Sequence, residues 1–580
     1  MCGIAGVMMR DGTAPDPAVL DRLQAAIAHR GPDGHGRLVR GPVALVHNRL
    51  AIIDLVTGDQ PLFAPSGAAL VANGEIYNNP ELRQAMAGTA FRTGSDCEPA
   101  LWLYEAGGTG FADRLRGMYA IAIDDPPRGR LVLARDPFGI KPLYYITTPS
   151  LFAFASEPQA LLAAGFGSRV PDERARAELL ALKFTTGSAT IFPGIHRVLP
   201  GETLVFEPSG IVERRHRAAL PPGPPEPIAA GDALRRLDQV LLDSVSVHLR
   251  SDVPYGLFLS GGIDSAAVLA LMSRATGQRI QALTCGWEGA GGIDETAEAA
   301  RLATAMGAEC HRLEMGPADF WRLAPRIAAA IDDPTADAAV LPTWMLGRAA
   351  AGSLKVTLCG EGADELFGGY SRYRKRRAPW RWLTRRPRSK GVLGGAGPWR
   401  EGIAAAEAAV AGDRSAVQAA QEVDIAEWLP NDLLTKLDRC LMAHGVEGRT
   451  PFLDPVVAEF AFRLPDARKV GLRFGKLLLR DWLAGAFPQA GAYARKKGFK
   501  PPVGAWMQAR GDLLARLVAA QPGVAAAVPA ATVAAAFAAA DRDSQRAWSL
   551  LFYALWHSHH VLGLPAEGDI GDTLSAAARG

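Results

Sequence analysis

The cysteine at position 2 is the residue of this chain whose placement points most directly to chemistry. Removal of Met1 would leave Cys2 with a free α-amino group beside its thiol. An α-amine has a pKa of about 7.7–8.0, so part of it is neutral at pH 7 and can accept the thiol proton. A thiol beside a base is an activated nucleophile. Taken alone, Cys2 is better explained as a small buried residue, so the residues downstream decide its interpretation.

Four short motifs follow Cys2 in order. They are residues 30–34 (RGPDG), 48–54 (NRLAIID), 72–78 (ANGEIYN) and 94–96 (GSD). Together with the Cys2 start, they resemble the class II glutamine amidotransferase domain, an N-terminal-nucleophile hydrolase, over about the first third of the chain. The resemblance implies that this third hydrolyses the side-chain amide of glutamine.

The resemblance assigns the hydrolysis to three residues. Cys2 would attack the amide of glutamine and release ammonia. The side-chain amide of Asn73 and the backbone N–H of Gly74 would form an oxyanion hole. Such donors matter because negative charge grows on the carbonyl oxygen in the transition state, and the loss of one donor costs about 2.7–4 kcal/mol.

Three further residues would bind glutamine beside Asn73 and Gly74. Arg49 would hold the α-carboxylate with two parallel N–H donors. Glu75 and Asp96 would hold the ammonium and amide ends. Taken singly, Arg49 is better explained as a surface cation and Asp96 as a turn residue, and only the whole set of motifs favours a substrate site.

A second, independent motif lies in the middle of the chain. The apolar run 253–259 leads into residues 260–265 (SGGIDS), and a helical pattern follows. A strand, a glycine turn and a helix start form an anion site, because free N–H groups and the helix dipole favour negative charge. The spacing excludes a Walker P-loop. Asp264 would face phosphates only through a cation, and Mg²⁺ suits such a site. A glycine turn capped by Ser265 is the plain alternative.

This motif resembles the pyrophosphate loop of the ATP pyrophosphatases, which cleave ATP between the α and β phosphates to adenylate a carboxylate. The resemblance implies ATP as a substrate and a set of nucleotide-contacting residues. That set is Leu259, Ser260, Gly261, Gly262, Asp264, Ser265, Cys285, Cys359 and Gly360.

An acidic cluster follows the apolar run 354–358, in residues 360–370 (GEGADELFGGY). Glu361, Asp364 and Glu365 would repel one another unless a cation neutralises them. Open α/β sheets bind ligands at the carboxyl ends of their strands, so this turn and the SGGIDS loop should share one face. The cluster resembles a motif of the asparagine synthetases. That resemblance implies that Asp364 is the second Mg²⁺ ligand and that Glu361 is a base or an amine-positioning group.

Two later segments extend this resemblance. Residues 442–454 (MAHGVEGRTPFLD) and 495–499 (RKKGF) match further family patterns. A lysine in the second segment would face the phosphates and stabilise charge during adenylation. Counting back from Phe499 selects Lys496, and the neighbouring Lys497 is left open as the alternative.

The first of these two segments also carries an arginine with a structural explanation. Arg449 fits an ion pair with Glu447 or with Asp454. A role for Arg449 at the site is left open.

The composition fits a large enzyme and argues against several other classes. A length of 580 residues implies two or more domains. The 63 Lys and Arg residues nearly balance 60 Asp and Glu residues, so no nucleic-acid or acidic-membrane partner is expected. Six cysteines without CxxC or His-paired spacing argue against zinc and disulfides. Neither a signal-peptide pattern nor a run of 18 apolar residues occurs, so we expect a cytoplasmic protein.

The elements that must position these residues fall into two halves. Strands are expected in the first half at residues 43–46, 69–72, 131–136 and 151–155. The proline-rich segment 220–227 (LPPGPPEP) can form neither helix nor sheet and predicts a stiff linker. Beyond it, leucine spacing over 234–249 predicts a helix, and helical patterns dominate.

We therefore expect an α/β protein of two domains. By the resemblance, residues 1–217 form an α+β glutaminase sandwich (αββα) of the N-terminal-nucleophile hydrolase type. Residues 218–231 form the linker. Residues 232–580 form a doubly wound parallel α/β domain of the ATP-pyrophosphatase type with a helical C-terminal part. The basic segment 375–397 is expected to be a solvated loop near substrate.

The combined resemblance covers about nine-tenths of the chain and predicts an activity of the asparagine synthetase type. The implied substrates are glutamine, aspartate and ATP, with Mg²⁺. Ammonia would pass between the domains, along an apolar route, because NH₄⁺ has no lone pair. A homodimer is compatible with the sequence.

Other classes remain as alternatives. An amidotransferase of the same build could act on another carboxylate, such as a sugar acid, a peptide or a cell-surface precursor. A β-lactam-forming relative would not need Cys2. A binding module with decayed catalysis is opposed by the intact Cys2, Asp264, Glu361 and Asp364. A tRNA-modifying enzyme would not explain the motifs before the linker.

Overall fold

The computed structural model describes residues 2–289, 294–377, 391–393, 398–494 and 501–579. Lys496 and Lys497 lie outside the described residues, as does most of the basic segment 375–397, so the expectations for them stay predictions. Among the described helices, none combines the length and the apolar character that crossing a bilayer requires.

The first half contains two six-stranded antiparallel sheets. Their strands are β1 (Gly3–Met9), β2 (Gly34–Arg40), β3 (Val43–Arg49), β4 (Leu62–Phe63), β5 (Ala69–Ile76), β6 (Gly117–Asp125), β7 (Arg130–Arg135), β8 (Tyr144–Thr147), β9 (Leu151–Ala155), β10 (Ile195–Arg197), β11 (Glu202–Glu207) and β12 (Gly210–His216). The strand orders are β10-β8-β9-β1-β3-β2 and β12-β11-β7-β6-β5-β4. Ile4 and Leu45 of the first sheet pack against Val71 and Leu133 of the second, so the sheets lie face to face.

Helices cover the outer faces of both sheets. They are α1 (Pro17–Ala26), α2 (Asn79–Ala85), α3 (Glu98–Gly107), α4 (Pro158–Ala163) and α5 (Glu173–Leu182). Leu20 of α1 packs with Ala5 in one buried cluster, and Leu101 of α3 packs with Leu70 in another. Pairs of facing apolar surfaces are buried in this way throughout the half, and the predicted αββα sandwich is confirmed.

The second half is centred on a five-stranded parallel sheet. Its strands are β13 (Tyr255–Phe258), β14 (Gln281–Trp287), β15 (Glu309–Met315), β16 (Val356–Leu358) and β17 (Glu447–Arg449), in the order β15-β14-β13-β16-β17. The chain runs outward from β13 through β14 to β15, and then returns to the other side of β13. The order therefore reverses between β13 and β16, where open α/β sheets bind ligands.

Helices flank this sheet and form the C-terminal part. They are α6 (Ala230–His248), α7 (Ile263–Thr276), α8 (Thr296–Ala305), α9 (Pro317–Ala330), α10 (Val340–Ala350), α11 (Ala363–Phe367), α12 (Ser371–Arg377), α13 (Glu401–Ala409), α14 (Ala416–Val423), α15 (Thr435–Met442), α16 (Pro455–Arg463), α17 (Asp466–Lys469), α18 (Leu477–Ala486), α19 (Val503–Gln508), α20 (Gly511–Ala519), α21 (Pro522–Ala525), α22 (Ala530–Ala538), α23 (Ser544–His560) and α24 (Ile570–Ala577). A π-helical segment, Asp424–Leu434, joins α14 to α15. Leu237 of α6 packs on one face of the sheet with Leu257, and Ile327 of α9 packs on the other with Leu283. The predicted doubly wound α/β architecture with a helical C-terminal part is confirmed.

The proline-rich segment between the halves has no helix or strand over residues 218–229. It is nevertheless held against the second half, because Arg414 donates to the carbonyl oxygens of Pro221 and Gly223 at 2.9 and 2.8 Å. The backbone N–H of Glu226 donates to the carbonyl of Arg463 at 2.7 Å. The segment is therefore an extended strap lying on the second half.

Buried ion pairs join the two halves directly. Arg30 of the first half donates to both carboxylate oxygens of Asp438, at 2.8 and 2.9 Å. Arg197 does the same to Asp333, at 2.7 Å to each oxygen. All four side chains are almost completely buried. Two bidentate pairs that are shielded from water hold the halves in one relative orientation.

Candidate active sites

Cys2 lies at the start of β1, at the inner face of the sandwich, and is buried. Its backbone N–H donates to Oδ1 of Asn73 at 3.0 Å. Asn73 and Gly74 belong to β5, in the opposite sheet. The packing of the two sheets therefore brings residues 71 positions apart into one site, as the resemblance implied. Burial raises the pKa of the Cys2 thiol, so this thiol needs a base to become a thiolate.

The predicted oxyanion donors lie next to Cys2. Nδ2 of Asn73 is buried and has no hydrogen-bond partner among the described residues. A buried donor without an acceptor is costly, so this N–H group is available to donate to an oxygen of a bound molecule. A side chain on Gly74 would place its Cβ 2.1 Å from the carbonyl oxygen of Met118, so β5 can pair with β6 here only through glycine.

Arg49 is buried at the end of β3, and its guanidinium faces the loop that follows. Nη1 donates to Oδ1 of Asp59 at 2.8 Å. Nη2 donates to the carbonyl oxygens of Ile53 and Asp54. Residues 53–59 therefore hold the predicted carboxylate-binding group in place.

Glu75 and Asp96, the two predicted acidic contacts, lie close together and are buried. Burial, together with the charge of Asp96, raises the pKa of Glu75 well above its usual value. Burial also raises the pKa of Asp96 to about 6, although the backbone N–H of Ile76 donates to its carboxylate at 2.6 Å. A substrate ammonium group placed beside these carboxylates would offset the cost of charging them.

Arg449 of the second half reaches this acidic pair. Nε lies 2.6 Å from Oε1 of Glu447, and Nη2 lies 3.3 Å from Oε1 of Glu75. Asp454 pairs instead with Arg116. Of the two partners considered from the sequence, Glu447 is therefore the observed one. The contact with Glu75 was not anticipated, because no local pattern connects residues in the two halves of the chain.

The SGGIDS motif forms the predicted strand–turn–helix arrangement. β13 ends at Phe258, and α7 begins at Ile263. Oγ of Ser265 accepts from the backbone N–H of Ser260 at 3.1 Å and lies 3.0 Å from Oγ of Ser260. The backbone N–H of Gly262 donates to Oγ of Ser260 at 3.1 Å. The two serines close the loop internally. The N-cap of α7 is Gly262, and no side chain among the described residues caps the helix, so Ser265 does not cap it as the plain alternative supposed. The free N–H groups of the helix start are suited to anions.

A cavity of about 210 Å³ lies where the strand order reverses. Nine of the predicted residues line it: Leu259, Ser260, Asp264, Ser265, Cys285, Cys359, Gly360, Glu361 and Asp364. Seven others were not anticipated: Phe258, Thr284, Ala339, Thr343, Leu346, Lys436 and Leu437. The SGGIDS loop and the acidic turn, which are about 100 residues apart in sequence, thus face one cavity.

Lys476 joins the two predicted metal ligands. Its Nζ lies 2.6 Å from Oδ2 of Asp264 and 2.6 Å from Oδ1 of Asp364. These two carboxylates raise the pKa of Lys476 against the effect of burial, so the ammonium stays charged. Lys476 has a positive φ of 56° and precedes α18. The sequence offered no signal for it beyond a lysine directly before an amphipathic helix.

The two aspartates fit a divalent cation. Oδ1 of Asp264 is buried without a hydrogen-bond partner among the described residues. Mg²⁺ prefers oxygen ligands and typically takes one or two carboxylates together with phosphate oxygens. Within the described chain, no group of three or more acidic, histidine or cysteine side chains is arranged to hold a metal alone. Asp264 and Asp364 would therefore hold the cation jointly with a substrate.

A second charged group lies at another wall of the cavity. Nζ of Lys436 lies 3.6 Å from Oε1 of Glu361 and 4.0 Å from Oδ2 of Asp337. Lys183 of the first half lies 3.4 Å from Asp432 and 3.9 Å from Asp337. Burial opposes the charge of Lys436, but Glu361 and Asp337 raise its pKa above the usual range. This wall therefore presents a fixed cation and a carboxylate side by side.

Two family profiles and several named proteins match this chain. The Glutamine amidotransferase domain family matches residues 1–217, and the Asparagine synthase family matches residues 236–558. Asparagine synthetase (glutamine-hydrolyzing) 1 of Bacillus subtilis (strain 168) is 30% identical, with 97% of each chain covered. A protein of Mycobacterium tuberculosis (strain ATCC 25618 / H37Rv), provisionally named an asparagine synthetase (glutamine-hydrolyzing), is 33% identical, again with 97% of each chain covered.

A third relative has a different name. Amidase chyE of Penicillium rubens is 32% identical over 64% of this chain and 60% of its own. The match to the Asparagine synthase profile covers more than half of the chain, and the bacterial relatives match nearly all of it. On this evidence, together with the two sites, the chain belongs to the asparagine synthase family.

Proposed function

We propose that this protein is a glutamine-dependent asparagine synthetase. It hydrolyses glutamine to glutamate and ammonia, transfers the adenylyl group of ATP to the side-chain carboxylate of aspartate with release of pyrophosphate, and replaces AMP by ammonia. The observation that carries the proposal is the meeting of the SGGIDS loop and the acidic turn around one cavity, in a chain that also holds Cys2 beside Asn73.

The glutaminase step uses the residues around Cys2. After loss of Met1, the α-amine takes the thiol proton, and the sulfur attacks the amide carbon of glutamine. Nδ2 of Asn73 and the N–H of Gly74 stabilise the oxyanion. The α-ammonium group returns the proton to the amide nitrogen, ammonia leaves, and water then releases glutamate from the thioester. Arg49 binds the α-carboxylate, and Asp96 with Glu75 binds the ammonium group.

The adenylation step uses the cavity of the second half. The loop Ser260–Ser265, together with Leu259, Cys285, Cys359 and Gly360, surrounds the nucleotide. Asp264 and Asp364 would hold Mg²⁺, which neutralises phosphate charge when bound. Lys476 adds a fixed positive charge between the same two carboxylates. Lys496 is proposed as a further phosphate-facing lysine, with Lys497 as the alternative.

The acceptor end of the cavity is the wall that carries Glu361 and Lys436. Aspartate presents an α-carboxylate and an α-ammonium group beyond the carboxylate that is activated. Lys436 supplies a buried cation for the α-carboxylate. Oε1 of Glu361 lies 3.6 Å from Nζ of Lys436 and would face an incoming amine. Glu361 is therefore proposed to position ammonia, or to take its proton as it attacks.

The domain assignment follows the same division of labour. Residues 1–217 would form the glutaminase domain, 218–231 the linker and 232–580 the synthetase domain. Ammonia would pass between them without meeting bulk water. We propose the cytoplasm as the compartment, and a homodimer is compatible with this proposal.

The test is a screen of carboxylates with the purified protein. Glutamine, Mg·ATP and each candidate acid are combined, and AMP and pyrophosphate are measured. We expect release with aspartate and little with sugar acids or peptides. Release with one of those acids, and none with aspartate, would show that the protein is an amidotransferase of the same build for another carboxylate.

A further inference from the structure

The loop of residues 53–59, between β3 and β4, shapes the predicted glutamine site. Arg49 donates to Oδ1 of Asp59 at 2.8 Å and to two carbonyl oxygens of this loop. Leu55 and Val56 at its tip are exposed. The position of the Arg49 guanidinium therefore depends on the conformation of the 53–59 loop.

Asp54 connects this loop to the other side of the site. Its carboxylate accepts from the backbone N–H and the hydroxyl of Thr57, at 2.9 and 2.5 Å, and from the backbone N–H of Gly94, at 2.8 Å. Gly94 begins the GSD motif that ends at Asp96. Asp54 thus fixes the loop that orients Arg49 relative to the turn that carries Asp96.

The backbone of Asp54 is in a conformation that needs support. Its φ is 53°, in the left-handed region that residues other than glycine adopt rarely and that aspartate adopts when local hydrogen bonds support it. Such a conformation persists only where surrounding contacts determine it. The backbone N–H of this residue is therefore a critical attachment point of the 53–59 loop.

That attachment comes from the second half of the chain. Oδ2 of Asp252 accepts from the backbone N–H of Asp54 at 2.7 Å. In return, the backbone N–H of Asp252 donates to the carbonyl oxygen of Ile52 at 3.0 Å. A hydrogen bond to an ionised acceptor is stronger than one between neutral groups. Asp252 lies between α6 and β13, shortly before the strand that leads into the SGGIDS loop.

We propose that Asp252 is a positioning residue through which the second half holds the 53–59 loop, and with it Arg49 and Asp96, in the arrangement that binds glutamine. This inference rests on the proposed glutaminase activity of the first half. Asp252 does not touch the reacting atoms, and it acts through Asp54.

The test compares Asp252→Ala and Asp252→Asn with the unaltered protein. Loss of one such hydrogen bond should raise the KM for glutamine about threefold to tenfold in Asp252→Ala. Synthesis from ammonium and exchange of labelled pyrophosphate into ATP should be unchanged. Asp252→Asn keeps the size of the side chain and an oxygen acceptor at the same place but removes the charge. It should therefore show a smaller rise in the KM for glutamine. Asp541→Ala removes an exposed aspartate of the same half and should change neither quantity.

Two results would overturn the inference. One is an unchanged KM for glutamine in Asp252→Ala, and the other is an equal loss of glutamine-dependent and ammonium-dependent synthesis. If Asp252→Ala fails to fold, hydrogen–deuterium exchange on Asp252→Asn decides: faster exchange in residues 53–59 alone is expected, and unchanged exchange there contradicts the inference. If the unaltered protein does not hydrolyse glutamine, the proposed function fails, while the exchange measurement still tests the contact.

Discussion

At the scale of single residues, both sites contain groups whose ordinary chemistry the fold has altered. Cys2 is buried beside Asn73, Asp96 is held in an environment that opposes its charge, and Lys476 lies between two carboxylates. Such perturbed groups gather at functional sites because catalysis needs charges in places where folding alone would not put them.

Replacement of Cys2 should separate the two half-reactions. Cys2→Ala removes the nucleophile, so glutamine-dependent synthesis and glutamate release should fall below detection. Synthesis from added ammonium should remain, because adenylation takes place in the other half. Cys2→Ser, which keeps the shape of the site with a far weaker nucleophile, is the matched control and should behave almost as Cys2→Ala does. Loss of the ammonium-dependent reaction in folded Cys2→Ala would contradict the division of labour.

The pH dependence of glutamine use should report the ionisation of Asp96. Burial raises its pKa to about 6, so the carboxylate that binds the substrate ammonium is present above about pH 6 and is lost as the pH falls through that value. We expect the KM for glutamine to rise as the pH falls from about 7 to about 5, about tenfold for each unit below the pKa. Asp96→Asn should bind glutamine weakly and show a smaller rise, because Glu75, whose pKa burial also raises, still faces the ammonium group. A KM that stays constant over the range would remove Asp96 from the site.

Replacement of Glu361 should affect amide formation more than ATP binding. Glu361→Gln keeps the size of the side chain and removes its charge and basicity. A group that takes a proton in the transition state contributes about 10²–10⁴-fold, so asparagine formation should fall by that order. Pyrophosphate exchange with aspartate should persist. An equal fall in both reactions would assign Glu361 to adenylation instead.

At the scale of elements, the site is produced by turns at the ends of parallel strands. Much of this could be predicted: an apolar run followed by SGGIDS, and another followed by GEGADE, had to lie at one edge of a parallel sheet. The position of Lys476 could not be predicted. It contacts Asp264 from 212 residues away, and its backbone has a left-handed conformation that no local sequence pattern indicates. The contact of Arg449 with Glu75 was equally hidden, since it depends on how two domains pack.

Gly369, in the acidic turn, should not tolerate a side chain, because Asp364 and Lys476 lie directly against it. A Cβ on Gly369 would lie 1.7 Å from Oδ1 of Asp364 and 2.3 Å from Cε of Lys476. Gly369→Ala should therefore displace both groups and reduce pyrophosphate release at least about tenfold, while glutamate release from glutamine stays intact. Gly352→Ala is the matched control, because a Cβ there meets nothing within 4 Å. Equal activity of the two variants would show that the Asp264–Lys476–Asp364 arrangement is not required.

At the scale of the whole molecule, the two halves are fixed together by buried charges. Arg197 and Asp333 form a bidentate pair with side chains only 3% and 2% exposed. Removal of one partner from a buried pair leaves an uncompensated charge and typically costs about 3–5 kcal/mol. This orientation also brings Arg449 to Glu75 and Asp252 to Asp54.

Loss of the Arg197–Asp333 pair should lower the stability of the protein and weaken the coupling between glutamine hydrolysis and asparagine formation. Arg197→Leu should reduce the free energy of unfolding in urea by about 3–5 kcal/mol. Folded Arg197→Leu should also release more than one glutamate for each asparagine formed, because ammonia escapes. The exposed pair Arg215–Asp113 offers a control, since Arg215→Leu should cost about 1 kcal/mol or less. A small cost for Arg197→Leu, with one glutamate for each asparagine, would refute the role of this interface.

The central claim is that one chain takes nitrogen from glutamine at Cys2 and delivers it to an adenylated aspartate in the other half. The most direct measurement supplies glutamine labelled with ¹⁵N in its side-chain amide, together with aspartate, Mg·ATP and an excess of unlabelled ammonium, and weighs the product by mass spectrometry. The account predicts asparagine enriched in ¹⁵N well beyond the bulk ammonia pool, with one AMP and one pyrophosphate for each asparagine. Asparagine without that enrichment, or no asparagine at all, would contradict it.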